Sequence, residues 1–123
     1  PLSLPSTLQA QRIQQKASYA GFDWKHSEDV WKKINEEFEE LKNAEKGGNK
    51  EQIENELGDL LFSIINLARF LDISADSALR STNNKFKNRF RFIEKTLEKS
   101  SKDIEKCSLE ELDSIWKEAK TKE

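Results

Sequence analysis

Two short acidic clusters are the part of this sequence best equipped for chemistry. Glu37 and Glu40 stand three residues apart, and so do Glu56 and Asp59, so on helices each pair shares one face. At about 100° per residue, Glu37 falls at the margin of an apolar stripe made by Val30, Ile34 and Leu41, and Glu40 lies just outside it. Glu36 and Glu39 turn further toward solvent. If the chain reverses about Gly48, an antiparallel helix pair sets Glu40 level with Glu56 and Glu37 level with Asp59. Carboxylates brought that close must take up protons or hold a cation. Oxygen-only ligands suit Mg²⁺ or Mn²⁺. The competing reading is a solvated acidic helix face. The absence of a Glu-x-x-His pair argues against a di-iron bundle.

Other polar groups fall near the same elements. Glu56, Asp59, Ser63 and Asn66 form one polar stripe on an otherwise apolar helix; Ser63 and Asn66 either satisfy neighbouring helices or line a pocket above the metal. Lys85 and Arg89, at i and i+4, sit beside an apolar stripe, where they can clamp phosphate oxygens or pair with carboxylates. Trp24 and Trp116 can stack on a base or serve as core. Trp31 reads as packing, and His26 as a surface residue.

The elements that must position these residues are helices. The only prolines are near the N-terminus, and the four glycines lie between Gly21 and Gly58. Ser6-Thr7-Leu8-Gln9 reads as a capping box opening a helix that ends near Gly21. A second helix is expected from about Ser27 to Ala44, with Val30, Ile34, Phe38 and Leu41 inward, then a turn within Asn43 to Lys50. A third, about Glu51 to Leu71, is apolar nearly all round from Leu60, as a central buried helix would be. Ser74 is a plausible N-cap for a fourth helix carrying Leu79, Phe86, Phe90, Ile93 and Leu97. Ser108-Leu109-Glu110-Glu111 is a second capping box before a short last helix. No strand alternation competes. The fold class is all-α, a bundle of four to five helices in a single domain over residues 1–123.

Bulk properties narrow the function. With 21 Lys and Arg against 23 Asp and Glu, the net charge of −2 gives no general attraction to nucleic acid or to an anionic membrane. One cysteine, Cys107, excludes an internal disulfide, and with one histidine it cannot build a Cys/His zinc site. No signal-like stretch opens the sequence, and its most apolar run, Leu60 to Ala68, is too short to span a bilayer. A cytoplasmic protein is expected. The lack of Met fits a processed chain or a piece of a longer one.

Several motifs in order resemble the MazG nucleoside triphosphate pyrophosphohydrolases: Gly21-Phe22-Asp23-Trp24, Glu36-Glu37-Phe38-Glu39-Glu40-Leu41, Glu56-Leu57-Gly58-Asp59-Leu60-Leu61-Phe62, Asn66-Leu67-Ala68-Arg69, and Asn83-Asn84-Lys85-Phe86 through Arg89-Phe90-Arg91. The resemblance runs from about Leu4 to Trp116. It implies an all-α, Mg²⁺-dependent enzyme that hydrolyses a nucleoside triphosphate to the monophosphate and pyrophosphate. Glu37, Glu40, Glu56 and Asp59 match the metal ligands, and Lys85 and Arg89 the phosphate-contacting pair. Trp116 matches a tryptophan close to the nucleotide. Asn66 and Asn83 join the substrate-binding candidates, and Glu36 the catalytic ones, to orient water or help a second metal. A homodimer or larger homo-oligomer is implied. Many members carry two such domains in tandem; this sequence has one, most like the C-terminal copy. The rival functions are a narrower pyrophosphatase of the same superfamily, acting on dUTP, dCTP or phosphoribosyl-ATP, and a catalytically silent module that binds nucleotide or protein.

Overall fold

The computed structural model describes residues 4–123. Among them are five α-helices and no strand: α1 (Ser6–Tyr19), α2 (Ser27–Gly47), α3 (Lys50–Phe70), α4 (Ala75–Lys99) and α5 (Leu109–Thr121), with a 3₁₀ turn at Ile104–Lys106. The all-α expectation holds. None of these helices is long and apolar enough to cross a membrane. The chain forms two compact units, residues 1–78 and 79–123, and α4 starts in the first and continues through the second.

In the first unit α3 packs against both α2 and α1. The α2–α3 hairpin is tighter than the expected Asn43–Lys50 turn, because α2 continues to Gly47. Gly48 then takes the left-handed conformation (φ 74°) and donates its N–H to the Ala44 and Glu45 carbonyls. Asn49 caps α3 at once, its side chain accepting from the Gln52 N–H at 3.0 Å. A C-cap glycine followed directly by an N-cap residue is a two-residue reversal, and it locks the register of one helix against the other.

The first capping box does not form. Pro5 is the N-cap of α1 and Ser6 is already helical; Gln9 donates its Nε2 to the Leu4 carbonyl at 2.6 Å. With the helix starting one residue early, Ser6 no longer occupies the position from which its hydroxyl could reach the third helical N–H. The later box does form: Ser108 Oγ accepts from the Glu111 N–H at 3.1 Å, and the Glu111 carboxylate reaches back to the Ser108 N–H. Ser74 also caps as expected, accepting from the Ser77 N–H.

Two packing expectations fail. Phe38 is 46% exposed rather than inward, and α3 is not buried all round: Leu57, Leu61 and Ile64 stay exposed along one stripe. The inward side of the first unit is instead strongly polar. Gln14, Glu37, Ser63 and Arg69 are buried there beside Val30 and Ile34. In the second unit Ile93, Leu97 and Ala119 are buried, and the Phe86 ring packs on Phe90 and Trp116.

Gly48→Ala should lower the unfolding free energy by about 1 kcal/mol, since a Cβ disfavours the left-handed conformation. Gly47→Ala, at a helical position with open space around it, should be neutral or stabilising. Denaturant titration of the two variants checks both signs.

Candidate active site

The tight hairpin brings three of the four expected carboxylates together. Glu37 from α2 and Glu56 and Asp59 from α3 each offer a carboxylate oxygen, and these oxygens lie within 4.8 Å of one another. Glu37 is 6% exposed, deeper than its helical phase implied. Glu56 is half-buried and Asp59 exposed, so the cluster grades from interior to solvent. Glu40 adjoins it: repulsion from Glu37, then a hydrogen bond shared with Glu56, pushes its carboxyl above the usual carboxylate range.

Three observations bear on whether a cation fits. Glu37 Oε2 and Glu56 Oε2 are buried and have no hydrogen-bond partner. Such acceptors normally have a donor or an ion beside them. The donor set is all oxygen, the chemistry that suits a hard divalent cation. Lys33 supplies a single neutralising charge: its ammonium meets Glu37 Oε1 at 2.8 Å and also feels Glu36 and Glu40. One ammonium cannot balance the whole acidic set, and the residues fit a divalent metal. The bond to Glu37 raises the Lys33 pKa.

A cleft of about 610 Å³ opens from this cluster. Its lining combines the charged Lys33, Glu36, Glu37 and Asp59 with the aromatic Phe22, Trp24 and Phe62, and includes Ser63 and Asn66. Ser63 donates its hydroxyl to the Leu60 carbonyl at 2.8 Å, so it is satisfied within its own helix. The Phe22–Trp24 loop is tied to α3 by Arg69, which is nearly buried. Its guanidinium makes a two-pronged contact with Asp23 (2.6 and 3.1 Å), and its Nε donates to Asn66 Oδ1 at 3.0 Å. Asp23 Oδ1 also accepts the Trp24 N–H at 2.8 Å. The Arg69 bond holds the Asp23 carboxyl below its usual range.

Lys85, Arg89, Asn83 and Trp116 belong to the second unit. There Arg89 pairs with Glu123 at 2.6 and 2.9 Å and lies over the Trp116 ring, 5.2 Å from its centroid. Trp116 in turn packs on Phe86 at 5.3 Å. Asn83 and Lys85 are exposed. Within their unit, Arg89 and Trp116 are therefore a packed pair, with the cation on an aromatic face.

Three residues of the first unit were given no role in the sequence reading. Lys33 stood four before Glu37, the spacing of a helical ion pair. Arg69 continues the polar stripe three residues past Asn66. Gln14 carried no such signal.

The model of the MazG nucleotide pyrophosphohydrolase domain matches residues 25–92. The chain belongs to the MazG family. The residues matched take in the whole carboxylate hairpin, Arg69, Lys85 and Arg89. Over 117 residues it is 46% identical to the nucleoside triphosphate pyrophosphohydrolase/pyrophosphatase MazG of Thermotoga maritima, covering 95% of this chain and 45% of that protein. It is 36% identical over 125 residues to the nucleoside triphosphate pyrophosphohydrolase of Escherichia coli K12, covering 100% of this chain and 48% of that one. A stretch of 75 residues is 40% identical to the uncharacterized protein YabN of Bacillus subtilis, covering 61% of this chain and 15% of YabN. This MazG chain thus spans about half the length of the first two relatives.

Asp23→Asn should destabilise the protein by roughly 1–3 kcal/mol at pH 7, because it leaves the Arg69 cation buried without its counter-charge. The lowered Asp23 pKa fixes the pH trend. The stabilisation is fully present above an unfolded value of about 4 and is lost as pH falls through the folded one. Wild-type and variant stabilities should therefore converge below about pH 4, as thermal unfolding at several pH values would register.

Proposed function

We propose that this chain hydrolyses nucleoside triphosphates to nucleoside monophosphate and pyrophosphate with the help of Mg²⁺, or Mn²⁺, held by Glu37, Glu40, Glu56 and Asp59. The observation that carries this reading is the buried, partnerless Glu37 Oε2 and Glu56 Oε2 within a converging carboxylate set. Membership of the MazG family and the names of the two half-covered relatives support the reaction class. A bound divalent cation would neutralise phosphate charge and lower the pKa of water.

The chain's own residues supply the rest. The hairpin presents the carboxylates to one end of an open cleft, and Lys33 adds a cation at that end for the phosphate tail. Glu36, exposed on the cleft wall, orients the attacking water and takes its proton. Water adds at a phosphorus of the α–β bridge, and the bond from that phosphorus to the bridging oxygen breaks. The leaving group, pyrophosphate or the nucleoside monophosphate according to which phosphorus is attacked, carries off the electron pair, and catalysis consists mainly of positioning and electrostatics. Asn66, on the wall of the same cleft, adds a polar group for the substrate.

The working form is a homodimer. The support is the exposed apolar stripe Leu57, Leu61 and Ile64 on α3, with Trp31 and Phe38 exposed on α2, since apolar helix faces of this kind are commonly covered by a partner. Sedimentation equilibrium should give twice the chain mass, and Leu61→Glu should shift it toward one.

Replacing Glu40 or Asp59 by Ala should reduce pyrophosphate release at least a hundredfold with the helical circular-dichroism spectrum retained. Mg²⁺ should raise the thermal midpoint of the wild type, EDTA should reverse the rise, and Glu56→Gln should abolish it. Near-normal turnover in either Ala variant would refute the assignment. An absence of pyrophosphate release from every natural triphosphate would favour a silent binding module.

A further inference from the structure

Glu37 enters the carboxylate cluster with its two oxygens in different states. Oε1 accepts from the Lys33 ammonium at 2.8 Å, whereas Oε2 is buried and has no hydrogen-bond partner. The Glu37 side chain is 7% exposed and that of Lys33 46%, so the ammonium reaches in from the surface to a carboxylate that water barely touches. Exposed ion pairs four residues apart on a helix contribute little, and Lys ahead of Glu is the less favourable order. What this pair does to the carboxylate therefore matters more than what it adds to α2.

The effect is geometric. A carboxylate with both oxygens open can grip a cation through one or through two. With Oε1 held by an ammonium, only Oε2 is left to offer. Both residues lie on α2, so this setting is built into one helix and needs nothing from α3. Glu56, across the hairpin, likewise keeps its Oε2 buried and without a partner. Carboxylates that give one oxygen each suit a small, octahedral cation such as Mg²⁺. Ca²⁺ takes more oxygens and commonly gains them from carboxylates that bind through both.

We infer that Lys33 is a positioning residue that sets the metal preference of the cluster: by occupying Glu37 Oε1 it restricts this carboxylate to one oxygen and so disfavours Ca²⁺ relative to Mg²⁺ or Mn²⁺. This rests on the divalent-metal reading of the site. An ammonium has three donors, so Lys33 can stay on Oε1 and still face the cleft that it lines. Charge alone would not discriminate, because a nearby ammonium repels every divalent cation alike. Only the withheld oxygen falls more heavily on the larger ion.

The test is calorimetric titration of the metal-free protein with MgCl₂, MnCl₂ and CaCl₂, in the absence of nucleotide. Lys33→Met removes the ammonium and keeps most of the aliphatic stem. It should tighten Ca²⁺ binding about tenfold more than it tightens Mg²⁺ binding. Lys33→Arg, which can still donate to Oε1, should hold the wild-type ratio of the two affinities. Should Lys33→Met fail to fold without metal, Lys33→Ala, with the best helix former at that position, takes its place and carries the same expected shift. A variant without the ammonium that keeps the wild-type Ca²⁺ to Mg²⁺ ratio would overturn the proposal. So would an equal gain for all three ions, which is the signature of charge alone, or a Lys33→Arg protein that shifts as far as Lys33→Met. Failure of the metal reading looks different: the wild type itself would give no binding heat with any of the three salts, and both inferences would fall together.

Discussion

Carboxylates on facing helices repel one another, and the α2–α3 hairpin holds them together regardless. Glu37, Glu56 and Asp59 keep oxygens within 4.8 Å, and Glu40 feels both Glu37 and Glu56 strongly enough to hold on to its proton more tightly than usual. Nothing in the local chemistry of acidic side chains favours that arrangement. It is imposed by the two-residue reversal at Gly48 and Asn49, which leaves neither helix room to slide, and by Val30 and Ile34 packing on the inward side of α2. The turn and the apolar contacts together outweigh the repulsion. A cation would remove that repulsion, which makes the hairpin more stable in its loaded than in its empty form.

The same constraint explains why the interior of the first unit is so polar. A helix that must present Glu56, Asp59, Ser63 and Asn66 along one side cannot also use that side for apolar packing. Its buried neighbours are polar residues with partners: Ser63 bonded within its own helix, Arg69 locked to Asp23 and Asn66, Gln14 bonded to the Phe62 carbonyl. Such a network is stiff when complete and costly when one member is missing. Among the described residues, the incomplete places are the Glu37 and Glu56 oxygens and Gln14 Oε1.

Helix periodicity made the five helices legible, together with the carboxylate pairing about Gly48, since both depend only on spacing along one chain. The Ser108 box was legible for the same reason. The Ser6 box was not, because the pattern alone cannot show that Pro5, with its fixed φ, would take the cap and shift the start by one residue. Phe38, Leu61 and Ile64 were misread as core because an apolar residue on a helix announces that it needs covering, not what covers it. Gln14 was invisible: its role depends on a carbonyl 48 residues away, and no local rule connects the two. The Asp23–Arg69 pair spans 46 residues and was present in the motifs as letters, but its geometry was not.

The exposed stripe on α3 follows from this division of labour. From Leu60 onward the helix is apolar on nearly every face except the polar line, so a single hairpin and α1 cannot cover it all. α1 and α2 take the sides nearest the polar interior, and Leu57, Leu61 and Ile64 are what is left. The polar line takes one flank of α3 out of apolar packing, so that exposed stripe is the surface through which the helix could gain further burial.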